Sequence, residues 1–186
     1  MHRARSRERD APSMPRPARP ERPARPRFRA IARLRAPADN RYHLRVTTFL
    51  FKTEPDSYSF QRLVAEKHAL WDGITSNAAL AHLRAARKGD DALIYHTGDE
   101  KAIVGLAQIT SAPYTDPKNP GVTSTGAIKF PVVDLKPLKA AKTPVTLAQL
   151  KADKRFAAFA LVRQPRLSVM PVPAELDQLI RKLAGL

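Results

Sequence analysis

Residues 51–59, FKTEPDSYS, follow directly on Phe49 and Leu50 and mark where the first apolar strand ends. The segment TTFLFKT that leads into them is rich in β-branched and aromatic residues, as strands are. Pro55 and Asp56 then force a turn. The strand therefore ends on Lys52, Thr53 and Glu54, which places two opposite charges and a hydroxyl at the rim of a core. Such charges commonly decorate turns. Pairing with Arg163 or Arg166 would let Lys52 and Glu54 hold the rim together.

Outward from this strand the pattern predicts alternating helices and short strands. Ser59 caps a helix over FQRLVAEK, with Leu63 and Val64 inward. A second helix starts at Ser76 or Asn77, runs through NAALAHLRAARK with Ala79, Leu80 and Leu83 on one face, and closes at Gly89. DALIYHT and KAIVGLAQITSAPY form an antiparallel hairpin across TGDE. AIKFPVVDLKPLKA is a further strand, reached through a polar loop from Thr115 to Gly126. Thr146 and Gln149 spell a capping box before TLAQLKAD. RLSVMPV returns to strand, and Pro173 opens a final helix. About five mostly antiparallel strands and four helices predict an α+β domain around a curled sheet or small barrel.

The chain has 186 residues, enough for one domain with a real core. It carries 33 Lys+Arg against 17 Asp+Glu, a net charge of +16 that favours anionic partners, nucleic acid first. Fourteen Arg, four acids and seven of the 17 Pro fall within residues 1–47. That composition predicts a disordered Arg/Pro-rich arm. Three explanations compete for it: a phosphate-binding tail, an arginine-rich presequence, or sequence upstream of a later start, which the switch from all-Arg to mostly Lys near residue 50 fits. Residues 48–186 form the domain. The chain has no cysteine, which excludes disulfides and thiolate metal sites. No apolar run reaches membrane-spanning length and no secretory signal is present, so a cytoplasmic, soluble protein is expected.

Standard catalytic signatures are missing: there is no G-x-S-x-G, P-loop or G-x-G-x-x-G. His68, His82 and His96 lack metal-ligand spacing, so no metal and no cofactor are expected. The remaining candidates lie beside predicted strand ends. Trp71, followed by Asp72 and Gly73, is either a core residue at a turn or a stacking surface for a base. Alternation sends one of Tyr95 and His96 inward and the other outward. Arg163, Gln164 and Arg166 offer forked donors to phosphate or base edges.

Taken together, FLFKTEPDSYSF, ALWDGITSNAALAHLRAARKGDDALIYHTG, AIVGLAQI, PVVDLKPL, PVTLAQLKAD and ALVRQPRLSVMPV resemble the EVE domain family, which includes the thymocyte nuclear protein group and bacterial members. The resemblance runs from about Thr48 to the C-terminus. It implies a PUA-like curled β-barrel with surrounding helices that binds, without catalysis, a modified base in DNA or RNA. A flipped or unpaired base would be read by stacking and edge hydrogen bonds. The site residues it implies are Lys52, Thr53, Glu54, Trp71, Asp72, Gly73, Tyr95, His96, Arg163, Gln164, Arg166 and Ser168, with Trp71, Tyr95 and Arg166 converging on one pocket. A monomer is expected. The chain departs from the animal-type pattern at Thr75–Ala79, where an aromatic is lost, and Phe60 stands where tryptophan is frequent; its short TGDE turn is of bacterial type. Two other functions stand beside this one: a nucleotide-processing hydrolase using Glu54 and His96, and a protein-interaction adaptor.

Overall fold

In the computed structural model, residues 47–186 are described. The Arg/Pro-rich arm, apart from Thr47, lies outside the described residues. Along the chain run β1 (Thr48–Thr53), α1 (Phe60–Glu66), β2 (Ala69–Trp71), α2 (Asn77–Ala85), β3 (Asp91–His96), β4 (Ala102–Ile109) and β5 (Tyr114–Thr115). Then come β6 (Pro131–Thr146), α3 (Leu147–Ala152), a 3-10 turn (Lys154–Phe156), α4 (Ala160–Arg163), β7 (Val169–Val172) and α5 (Ala174–Ala184).

The expected α+β class and curled sheet are what form, with more strands than the sequence suggested. The order is β2-β6-β4-β3-β1-β7, and β5 pairs with β6. Pairings are antiparallel except that between β1 and β3. The β6 strand is 16 residues long and serves as a spine that meets β2, β5 and β4 in turn. Its register against β4 shifts between Ile103 and Gly105 and again between Leu106 and Ala107. Such irregularities bend and over-twist a strand pair, which curls the sheet.

The core collects Leu50, Phe51, Leu93, Ile94, Ile103, Ile109 and Leu135 from the strands. The α2 helix contributes Ala79, Leu80 and Leu83, the face its spacing predicted. The Ser59 cap forms, accepting from the Arg62 N–H, and the Thr146–Gln149 capping box is complete. Three local expectations fail. Val64 is 48% exposed, because α1 buries Phe60 and Leu63 instead. Helix α2 stops at Ala85, and Gly89 (φ +98°) turns the chain into β3 with its N–H on the Ile109 carbonyl. Pro173 is the residue before α5 rather than its first.

Two contacts lock helices to the sheet. The Phe60 ring lies against Gly105 of β4, where an added Cβ would sit 2.4 Å from the ring. On α5, Arg181 bonds the Asp177 and Asp91 carboxylates and the Thr48 hydroxyl, so one guanidinium ties α5 to β1 and β3.

Gly105→Ala is expected to destabilise the domain by about 1–3 kcal/mol through overpacking, and Phe60→Ala by about 3–5 kcal/mol. In urea unfolding the double variant should lose less than the sum, because the clash needs the ring; strict additivity would refute the contact. Arg181→Met leaves the Asp91 and Asp177 side chains, 14% and 16% exposed, without their shared partner. The expected loss is about 2–3 kcal/mol, read as a lower urea midpoint, and an unchanged midpoint would remove this role from Arg181.

Candidate functional site

A cavity of about 560 Å³ opens at the carboxyl end of β1. β1 supplies Lys52 and Thr53, the following turn supplies Ser57 and Tyr58, and β2 supplies Leu70 and Trp71. Asp72–Ser76, leading into α2, forms a second side, and Arg166 and Ser168 come from the approach to β7. These segments meet because β1 lies between β3 and β7, and the Lys52 N–H donates to the Ser168 carbonyl at 2.9 Å.

The charges on the wall are held by specific partners. Lys52 Nζ donates to the Pro165 carbonyl at 3.0 Å and lies 5.7 Å from the centroid of the Tyr95 ring. Burial lowers the pKa of its ammonium from the usual lysine value. Asp72 Oδ2 accepts from Lys118 Nζ at 2.8 Å. The Thr53 hydroxyl donates to the Tyr58 carbonyl at 2.8 Å, leaving its lone pairs as acceptors.

Trp71 is only 8% exposed, as the core reading of it expected. Its ring packs on Phe51 at 5.4 Å and meets Tyr58 edge-on at 6.3 Å, while it also lines the cavity. The Tyr58 hydroxyl donates to Glu66 at 2.7 Å and Arg62 stacks on its ring at 5.0 Å. Burial first, then the hydrogen bond to Glu66, pushes the Tyr58 phenol up to about 12. Tyr58 is thus held upright as the second aromatic of the site.

Of the residues singled out from the sequence, Lys52, Thr53, Trp71, Asp72, Gly73, Arg166 and Ser168 come together on this cavity, and the others do not. Glu54 turns away to accept from the Thr97 hydroxyl and lies against Gly98, so it pairs with neither Arg163 nor Arg166. His96 is fully buried: Nε2 accepts from the Phe60 N–H at 2.9 Å, and Nδ1 lies 2.6 Å from Glu100. Tyr95 is also buried, beneath Lys52. Neither member of the Glu54/His96 pair considered for hydrolysis reaches the cavity, and of the expected trio only Trp71 and Arg166 meet there. Arg163 ends α4 in solvent, and Gln164 lies in an adjoining groove.

Sequence reasoning missed Ser57, Tyr58, Leu70, Ile74, Thr75 and Ser76. Tyr58 follows the Pro55-Asp56 turn signal, and the turn folds back so that the Thr53 hydroxyl donates to the Tyr58 carbonyl. Among the described residues, no group of three or more His, Asp or Glu side chains is placed to hold a metal ion. Nor is any helix among them long and apolar enough to cross a membrane.

The EVE domain family model matches residues 47–183. Thymocyte nuclear protein 1 of Homo sapiens is 27% identical over 155 residues, which cover 68% of this chain and 69% of the relative. The NMR structure of Rpa0253 from Rhodopseudomonas palustris is 42% identical with a TM-score of 0.68, covering 75% of this chain and 94% of that one. Human THYN1 protein, solved in complex with DNA containing 5-methylcytosine, is 25% identical with a TM-score of 0.67, covering 75% of this chain and 98% of that one. With the match spanning nearly the whole described domain and the PUA-like fold shared, the chain belongs to the EVE domain family.

Proposed function

We propose that this chain is a non-catalytic reader of a modified nucleobase, a C5-modified cytosine in DNA, held in the cavity at the end of β1. The observation that carries the reading is the presence on one cavity of a half-buried ammonium, Lys52, and a carboxylate, Asp72, beside the Trp71 and Tyr58 rings. At about 560 Å³ the cavity is in the ~300–1,000 Å³ range of small-molecule sites. The relative solved with 5-methylcytosine DNA supports the choice of base.

The chemistry follows from the edge of cytosine. Its 4-amino group donates and its O2 and N3 accept, so a base between Asp72 and Lys52 meets an acceptor at one end and a donor at the other. Thymine would turn its O4 acceptor toward the Asp72 carboxylate and be rejected. Leu70 and Ile74 supply apolar surface for a group on C5. Arg166, on the rim, suits the phosphate backbone, where a guanidinium binds with two parallel hydrogen bonds.

The test is a titration of the full chain against labelled DNA carrying 5-methylcytosine, cytosine or thymine at one position, with a matching methylated RNA. Preference for the methylated base is expected; equal affinity for methylated and plain cytosine in both polymers would sink the reading, and preference in RNA alone would move the substrate to RNA. The DNA recovered after incubation should be unchanged, whereas a converted base would replace binding with catalysis.

Asp72→Asn, which can donate to thymine O4, is expected to reduce the cytosine-over-thymine preference roughly tenfold. An unaltered thermal midpoint would confirm that the fold is kept. A preference that survives the substitution would remove Asp72 from base recognition.

A further inference from the structure

We infer that a second groove, adjoining the cavity, holds the nucleotide next to the recognised one, and that Gln164 selects adenine at that position. This rests on the base-reading function above and adds a sequence-context site to it. The groove, about 330 Å³, is lined by Ser76, Ala78, Gln164, Pro165, Arg166 and Leu167. It shares Ser76 and Arg166 with the main cavity, so the two spaces meet at one guanidinium. A strand with one base in the cavity passes its linking phosphate by Arg166, and the neighbouring nucleotide arrives in the groove.

The groove is built for a base. Ala78, Pro165 and Leu167 give an apolar bed for a ring face. The turn that carries Gln164 is fixed from three sides: its N–H donates to the Ala160 carbonyl, its carbonyl accepts from the Leu167 N–H, and Lys52 holds the Pro165 carbonyl. The exposed Gln164 carboxamide has no hydrogen-bond partner among the described residues, and neither has the Arg166 guanidinium. A carboxamide offers one donor and one acceptor side by side, the complement of adenine N7 and N6. On the other side of the cavity, the space beside Gly73 and Thr75 is only about 140 Å³, less than half the volume of the groove, and Asp116 and Asn119 are among its lining residues. The context preference is therefore one-sided.

The full chain is titrated with DNA carrying one 5-methylcytosine flanked in turn by each of the four bases on each side, and with the unmethylated counterparts. Adenine on one side should bind about five- to tenfold tighter than the alternatives. Gln164→Ala should level that preference and leave the methylated-to-unmethylated ratio intact, while Gln164→Glu, now acceptor only, should move it toward cytosine. Arg166→Ala should weaken every sequence alike and reduce the salt slope by about one. If methylation is read but no flanking preference exists, or the preference survives Gln164→Ala, the groove proposal falls alone. If the wild type ignores methylation, the base-reading function falls and takes this proposal with it.

Discussion

The site depends on β1 being hydrogen-bonded along both edges as far as its last two residues. On one side the Thr97 N–H donates to the Thr53 carbonyl, and on the other the Lys52 N–H donates to Ser168, each at 2.9 Å. A strand with a partner on both sides cannot slip by one residue without turning every side chain to the opposite face and breaking two ladders. Phe51 is thereby committed to the core and Lys52 to the cavity. Ser168 is brought in by the same contact, because it immediately precedes β7 and its carbonyl accepts the Lys52 N–H.

With β1 fixed, the remaining polar groups at the rim divide into two sets. His96 and Glu54 serve the scaffold. The imidazole accepts the Phe60 N–H through Nε2, so its proton sits on Nδ1 and donates to Glu100. This pins the start of α1 to the β3–β4 turn, which Glu54 grips again through Thr97. Lys52, Asp72, Ser168 and Arg166 face the cavity. The two charges that end β1 therefore have opposite destinies despite being two residues apart.

Features encoded within a few residues were legible in the sequence. Caps at Ser59 and Thr146 and the buried face of α2 obey local rules, and the structure realises them. Features set by distant partners were not. Nothing near Val64 says that Gly105 makes room for Phe60, and the length of β6 depends on three separate partner strands. For Tyr95 and His96, alternation assumes a wet face and a dry one, but both faces are covered there, one by Lys52 and the other by the start of α1. The family resemblance pointed to several segments that line the cavity but also to the end of β3, which lies outside it; which side chains face the cavity required the packing.

The fit of Phe60 on Gly105 also constrains how this chain can drift. With 2.4 Å between the ring and any added Cβ, a side chain at position 105 is compatible only with a small residue at 60. A bulkier ring at position 60 would hold the glycine more firmly still. The two positions are sterically coupled across 45 residues of sequence, and changing either one alone would leave a strained or hollow core. A glycine in the middle of a buried strand, which strand preference alone disfavours, is here the record of an aromatic residue far away in the chain.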